Sequence, residues 1–304
     1  MARVNILMNC YNGAHYLDES IGSILSSDYQ DFEIIFIDNC STDDTEKKAK
    51  SFGPKVKYYK TPSFMSLCDA RVWGMQFISA EFFSMLDADD LILPNKLREQ
   101  VSIFDLHPEV GIVYGNSIHF KENGEEFLLY NEEMPSGNIF RKMLASYFLS
   151  LETLMARKSV MDKYGLSINP KYNIASDVEL YLKLSFYTNA YYLNMPVAKW
   201  RMTGTSESSK QFGSFPKEYE TLLEDLKVMV PNFENEYRDE IKNLNGIIHN
   251  MHGLAYWKDG DIIKSREHLK KAAGIKITYL IPLIANYIVS FYTYMRIRIL
   301  FKRI

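Results

Sequence analysis

The stretch from Phe82 to Pro94 reads FFSMLDADDLILP, an uninterrupted apolar run that ends in three carboxylates, Asp87, Asp89 and Asp90. A continuous apolar run bounded by polar residues is the pattern of a strand buried on both faces, as in parallel sheets. Like charges this close repel, so a fold that gathers them at the end of such a strand has a cation to hold there. Strand side chains alternate, which predicts Asp87 and Asp89 on one side of the chain. Two hard oxygen donors at that spacing suit Mg²⁺ or Mn²⁺, with positions left for water and diphosphate oxygens. The competing reading is a solvated turn ahead of a helix that starts near Pro94. That helix is expected to bury Leu97, Val101 and Phe104 and to turn Lys96, Arg98 and Glu99 to solvent, with Asp90 as its cap.

Working outward, Val4 to Met8 reads as a buried strand followed by turn residues Asn9 to Gly13. A helical pattern runs from about His15 to Ser27, with Leu17, Ile21, Ile24 and Leu25 on one face. FEIIFI, Phe32 to Ile37, is a second buried strand that ends at Asp38 and Asn39. Ser41 and Thr42 then precede Asp43, Asp44 and Glu46, the signature of a capped helix start with acids in its first turn. Val56 to Tyr59 is a third strand. Strand and helix alternating in this order require parallel crossovers and a doubly wound, mostly parallel sheet flanked by helices. Ligands of such sheets sit beyond the carboxyl ends of the strands, so Tyr11, Asp38, Asn39 and the Asp87 cluster should share one crevice. No GxGxxG follows the first strand and no GxxxxGK[ST] occurs, which counts against a dinucleotide-binding oxidoreductase and a P-loop NTPase.

At 304 residues the chain has room for one large α/β domain and a smaller appendage, and a net charge of -3 offers no reason to propose nucleic acid as a partner. Three widely spaced cysteines, Cys10, Cys40 and Cys68, argue against a disulfide framework and for a reducing compartment. MARVNILMNC lacks a long apolar stretch and a small-residue cleavage site, so a cytoplasmic protein is expected.

Three blocks in this order, ILMNCYNGAHYLDESIGSIL, DFEIIFIDNCSTDDT and MLDADDLILPNKL, resemble the inverting family 2 glycosyltransferases of the GT-A fold over roughly the first two thirds of the chain. The resemblance implies that Tyr11, in a Tyr-Asn turn with Asn12, stacks on a nucleotide base, and that Asp38 and Asn39 line the base and ribose pocket. Asn39 stands where the family commonly has a second Asp; an amide either donates or accepts, so the resemblance leaves the base open between uridine and another. SLCDARVWGMQFISAEF is similar to the segment in which an Ala-Arg pair opens a helix beneath the diphosphate, which assigns Arg71 to phosphate oxygens and the leaving group. The plain alternative is a surface arginine paired with Asp69 or solvent. In Asp87-Ala88-Asp89 the likeness makes Asp89 the direct ligand of Mn²⁺ or Mg²⁺ and gives Asp87 the donor's ribose or sugar.

Val110 to Tyr114 reads as another strand, and Lys121 to Glu133 as a charged loop on the half where such proteins dock acceptors. IASDVELYLKLSF resembles the family's general-base block, with Asp177 at the matching position and Ser176 in place of a frequent Glu; the bland reading makes Asp177 an ordinary acid in a helix's first turn. VAKWRMTGTSES resembles the closing strand and the segment after it, where Arg201, Thr203, Thr205 and Ser206 would meet phosphate and Gly204 would allow a lid; a plain polar loop is an equal reading of the hydroxyls.

From about Gln211 the texture changes to helices, Phe215 to Val230, Phe233 to Trp257 and Asp261 to Ala273, the last two forming one tetratricopeptide-like hairpin. His249 and His252 are read as ordinary histidines, since no third metal ligand is evident. Ile277 to Met295 carries no charge and is followed by Arg296, Arg298, Lys302 and Arg303. Two readings stay open: a helix lying on the anionic cytoplasmic leaflet, and a pair of packed helices with a basic tip, which would serve a homodimer equally well.

The expectation is therefore a GT-A domain over 1–210, with 1–115 binding the nucleotide sugar and 116–210 supplying acceptor contacts and the base, and a smaller helical region over 211–304. Its activity would be metal-dependent, inverting transfer of a sugar from a nucleoside diphosphate donor to a hydroxyl of a glycan or lipid-linked acceptor, in surface polysaccharide or glycolipid assembly. A sugar-nucleotide nucleotidyltransferase and a catalytically silent glycan- or membrane-binding protein are the rivals. NCYNGAHYL lacks the Gly-rich, Arg-containing loop of the first, while Asn39 and Ser176 keep the second open.

Overall fold

The computed structural model describes residues 2–203 and 210–301, with side chains to 298. Two compact units emerge, Met1–Phe140 with Phe148–Thr203, and Arg141–Tyr147 with Gly204–Ile304.

Apolar runs without interruption dictate the centre of the first unit. Val4–Cys10 (β1) and Phe32–Asp38 (β2) are buried along almost their whole length, as strands covered on both faces must be. They pair in parallel, from Val4 opposite Phe32 to Cys10 opposite Asp38. Val56–Lys60 (β3) adds to the outer side of β2, and Phe82–Met85 (β4) adds to the other side of β1. With Leu91–Ile92 (β5), Val110–Phe120 (β6), Glu126–Leu128 (β7), Met155–Arg157 (β8) and Asn189–Arg201 (β9), the described residues form a nine-stranded sheet of order β3-β2-β1-β4-β8-β6-β9-β5, with β7 on β6. Its first half is parallel. Beyond β4 the short β8 enters antiparallel to both β4 and β6, while β6 and β9 run parallel to one another over their whole length.

Helices cover the sheet as the doubly wound pattern requires. Leu17–Leu25 (α1) buries Leu17, Ile21 and Ile24, at helical spacing. Thr45–Ser51 (α2) and Leu67–Met75 (α3) make the next crossovers. In α3, Gly74 lets the helix approach the sheet, since a Cβ there would lie 2.7 Å from Leu7 and 2.9 Å from Ile37. Each large apolar side chain buried in this way contributes about 1.5–3 kcal/mol.

The structure corrects the expected end of β4. The strand stops at Met85, and Asp87 to Asp90 form a tight turn in which the Asp90 N–H donates to the Asp87 carbonyl at 3.1 Å. Period-two alternation therefore does not govern the acids; a buried strand ends where its first carboxylate cannot follow. Asp90 is no helix cap either. It is buried, and its carboxylate accepts the Arg201 backbone N–H at 2.8 Å.

Lys96–Leu106 (α4) buries Leu97, Val101 and Phe104 as expected, but it buries Lys96 as well. The Lys96 amine donates to Ser84 Oγ at 3.0 Å and to the Glu152 carbonyl at 2.8 Å, and burial pushes its pKa down to about 7. Glu152, also buried, accepts from Ser117 and Ser150. A buried stripe wider than three apolar positions, completed by Lys96 and Gln100, is what the sequence pattern concealed. The expected charged loop over 121–133 contains β7, which folds back on β6 from Phe120 opposite Glu126 to Ile118 opposite Leu128.

Phe140–Ala145 (α5), Lys158–Tyr164 (α6) and Ser176–Tyr187 (α7) precede the second unit's helices. These are Phe215–Met229 (α8), Phe233–Glu236 (α9), Arg238–Lys258 (α10) and Ile262–Ile275 (α11). The expected hairpin is α10 and α11, turning at Gly260 with φ +84 and closing so tightly that a Cβ on Gly253 would lie 2.6 Å from Leu269. Arg141 belongs to this unit, donating to Glu240 at 2.9 Å over the Tyr237 ring. His249 and His252 meet the His268 ring at centroid distances of 5.3 and 4.7 Å, and His252 Nε2 lies 2.8 Å from Glu220.

The uncharged C-terminal stretch is two short helices, Leu280–Ile288 (α12) and Phe291–Phe301 (α13), separated at Val289 and Ser290. Among the described residues no helix is long and apolar enough to cross a membrane. Gly204, Thr205, Ser206, Lys302 and Arg303 lie outside the described residues.

Replacing Lys96 by Met keeps the volume but leaves Glu152 without a counter-charge and two acceptors short of a donor. It is expected to cost about 3 kcal/mol of unfolding free energy, read as a lower urea midpoint.

Candidate active site

The chain runs outward from β1 to β2 to β3 and then returns to the other side of β1 as β4, so the sheet's switch point lies between β1 and β4. Crevices form at the carboxyl ends of strands at such a point. Here those ends deliver Asn9 to Asn12, Asp38 and Asn39, and Asp87 to Asp90.

The first wall is a pair of turns locked to one another. Asn12 and Cys40 have left-handed backbones, with φ 51 and 62. Asn12 donates its N–H to Ser41 Oγ at 2.9 Å and accepts the Thr42 N–H on its own Oδ1 at 2.7 Å. Gly13 allows this close approach, because a Cβ there would lie 2.6 Å from Cys10 Sγ. Asp38 is fully buried and both of its oxygens are engaged, accepting from the Ser41 N–H at 2.8 Å and the Tyr58 hydroxyl at 2.6 Å. Asn39 clamps Met65, donating to its carbonyl at 2.8 Å and accepting its N–H at 3.1 Å. A carboxylate at position 39 has no proton for that carbonyl, so the departure from Asp serves the loop 61–66.

That loop carries a residue the sequence reading missed. Phe64 is 62% exposed and packs on Tyr11, itself 51% exposed, with ring centroids 4.7 Å apart. Two exposed aromatics in contact at a crevice mouth form a platform for a flat ring. No local pattern reveals the pair, since 53 positions separate its members and only the parallel crossover brings them together.

The second wall is electrostatic. Arg71 projects from α3 and is 4% exposed, which overturns the surface alternative. Its Nη2 donates to Asp87 Oδ1 at 2.5 Å and its Nε to Asn9 Oδ1 at 3.4 Å, while Asp69 turns away to Ser66. Asp177, in the first turn of α7, faces the same guanidinium: burial raises its pKa, the Arg71 charge opposes that rise, and Asp87 adds to it. The structure thus brings Asp87, Arg71 and Asp177 into one charged row.

Ala88 and Asp89 form the tip of the acidic turn. The Asp89 carboxyl is pushed up to about 6, first by burial and then by the charge of Asp87, with Arg201 opposing. Arg201, at the end of β9, is 7% exposed and already committed: Nε donates to the Asp89 carbonyl at 2.8 Å, Nη2 pairs with Glu19 at 2.5 Å, and the guanidinium lies over the Phe120 and Tyr16 rings. The sequence reading offered it to phosphate; the structure makes it a strut of the acidic turn. Asp90 behind the turn is held well above the usual carboxylate range by burial and by Glu152, Asp87 and Asp89.

These donors fit a hard divalent cation that arrives with a diphosphate. Asp89 is strained by burial and a like charge, both of which a cation would offset, and Mg²⁺ or Mn²⁺ takes only one or two carboxylates when phosphates complete its shell. Asp87 is tied to Arg71, and among the described residues no set of three or more His, Cys, Asp or Glu side chains is arranged to hold a metal by itself.

Comparisons with known proteins identify the family and the fold. The family model for "Glycosyl transferase family 2" matches residues 5–165, just over half of the chain. The chain belongs to that family. Among its relatives is the Escherichia coli UDP-Glc:alpha-D-GlcNAc-diphosphoundecaprenol beta-1,3-glucosyltransferase WfgD, 24% identical over 72% of this chain and 85% of that one. An uncharacterized glycosyltransferase of Rickettsia conorii is 35% identical over 40% of this chain, which spans only 20% of that relative's length. In three dimensions the chain is similar to S. aureus TarS 1-349, with a TM-score of 0.64 at 16% identity, covering 92% of this chain and 83% of that one. It is also similar to the mannosyltransferase PcManGT from Pyrobaculum calidifontis in complex with GDP-Man and Mn²⁺, with a TM-score of 0.61 at 16% identity over 90% and 75% of the two chains. The fold is that of the GT-A glycosyltransferases.

Because Asp89 holds its proton more tightly folded than unfolded, stability falls as pH rises from 3.8 through about 6. Asp89→Asn removes that penalty. It is expected to raise the melting temperature by about 2–4 °C in neutral buffer and to leave it unchanged in buffer acidic enough to protonate Asp89 in both states.

Proposed function

We propose that this chain transfers a sugar, with inversion, from a nucleoside diphosphate donor to a hydroxyl of a glycan or lipid-linked acceptor in surface polysaccharide or glycolipid assembly. The observation that carries the reading is the buried Arg71 paired with Asp87 and coupled by charge to Asp177 at the sheet's switch point. One cation facing two carboxylates there separates a leaving-group side from a base side.

The donor half, 1–115, takes the nucleotide. The base lies on Tyr11 and Phe64, in a pocket shaped by Asn12, Asp38 and Asn39, and the ribose and sugar face Asp87 and Ala88. Arg71 donates to diphosphate oxygens, and its charge, itself buried, favours the developing leaving group. Asp89, with Asp87, would hold Mn²⁺ or Mg²⁺, which when bound supplies further positive charge at the diphosphate. Arg201 keeps the acidic turn in register.

The acceptor half, 116–210, supplies the base. Asp177 takes the proton from the acceptor hydroxyl as its oxygen forms the bond to the anomeric carbon and the bond to the diphosphate oxygen breaks; attack from the face opposite the leaving group inverts the centre. Support for a lipid-linked acceptor comes from the named substrate of the E. coli relative. The helical region, 211–304, is assigned to contacts outside the reaction, at the inner face of a cytoplasmic membrane.

Donor consumption with a panel of nucleotide sugars and Mn²⁺ tests the reading. Asp177→Asn is expected to lower turnover by about 100-fold or more with donor binding retained. The base works deprotonated and its pKa is raised, so the rate should fall toward acid with a midpoint above 3.8. Asp89→Ala should abolish turnover and metal-dependent nucleotide binding together. Unchanged turnover in Asp177→Asn removes the base assignment, and unchanged turnover in Asp89→Ala removes the cation.

A further inference from the structure

Helix α12 is built inside out. Ile281, Ile284 and Ile288 fall on one helical face, which Ile277 extends at the same spacing, and they are 65%, 55%, 73% and 76% exposed. The face turned inward carries Pro282 and Asn286 instead. Asn286, 5% exposed, donates to Ser265 Oγ at 3.0 Å and accepts from Arg266 Nε at 2.9 Å, while the Arg266 guanidinium stacks 3.7 Å from the Tyr287 ring centroid. Rotating α12 to hide its isoleucines would strip a buried amide of both partners, at the cost that attaches to any unsatisfied buried polar group. The outward apolar face is therefore locked in place. It continues across a groove of about 860 Å³ lined by Tyr279, Ile284, Ile288, Tyr294, Ile297 and Arg298.

Charge selects the occupant. After Glu267 the sequence contains no acidic residue, yet it contains Lys270, Lys271, Lys276, Arg296, Arg298, Lys302 and Arg303. Lys276, Arg296 and Arg298 are exposed, and they form no ion pair among the described residues. An isologous contact with a second copy would set this cationic face against itself. An apolar strip with interfacial tyrosines, Tyr287 and Tyr292, and flanking cations matches a bilayer surface, where isoleucines enter the acyl boundary and cations meet anionic headgroups.

We propose that α12 and α13 form a peripheral docking surface for an anionic phospholipid bilayer. The surface rests on the membrane contact proposed above, to which it gives residues and a lipid chemistry; it is tested without any nucleotide, so its failure would remove that contact and leave the sugar transfer untouched. The purified full chain is floated with vesicles of phosphatidylcholine alone and with about 30% phosphatidylglycerol. Partition onto the anionic vesicles is expected to be about tenfold stronger or more and to weaken in high salt.

The double variant Ile281→Asp, Ile284→Asp alters only exposed positions and should keep its circular dichroism spectrum while losing vesicle binding. Arg296→Glu with Arg298→Glu should lose the preference for anionic lipid. No binding to anionic vesicles, or equal and salt-insensitive binding to both kinds, overturns the proposal. So does a concentration-dependent dimer that the isoleucine variant dissociates in the absence of vesicle binding, which would make the occupant a second copy.

Discussion

A buried guanidinium coupled to two carboxylates organises the candidate site of this molecule. Arg71 is nearly inaccessible to water, and a cation so placed is tolerable only because Asp87 and Asp177 flank it. The same arrangement leaves Asp177 dependent on Arg71, since burial raises the Asp177 pKa and the arginine restrains it. Removing both acids would leave the Arg71 charge buried and uncompensated. The row is thus a structural necessity before it is a chemical one, and its position at the sheet's switch point makes it available to a ligand.

Around this row the fold supplies rigidity in layers. Behind the acidic turn lie Asp90, Lys96 and Glu152, all buried, bonded to backbone groups and serine hydroxyls. Arg201 holds the turn from above through the Asp89 carbonyl. None of these groups faces the crevice as a free reagent. They hold a strained set of charges in one geometry, the condition under which fixed dipoles and charges act on a transition state without reorganising.

Much of the fold was legible because its strands are buried on both faces: VNILMNC and FEIIFID admit little besides a central parallel strand. Positions at strand ends were legible for the same reason, which is how Tyr11, Asp38 and Asp87 were placed in one crevice. The conformation of the acids was not. Period-two alternation applies only while the ladder continues, and β4 ends two residues before Asp87. Lys96 was misplaced because charge was read as exposure, although its neighbours Leu97 and Gln100 share the buried stripe. Phe64 was invisible because nothing local marks a partner 53 positions away, and the pairing of Arg201, named for phosphate, was not legible because Glu19 and Asp89 lie far off in sequence.

The segment bearing Phe64 is tied to the end of β2 at Thr61, whose N–H donates to the Asp38 carbonyl, and at Met65, whose N–H and carbonyl are both gripped by the side-chain amide of Asn39. Half of the aromatic platform is therefore a detachable fitting on an otherwise fixed chassis. In the proposed donor site, another residue at 64 would alter the surface offered to a base while the sheet and the Arg71–Asp87 pair beneath stay as they are.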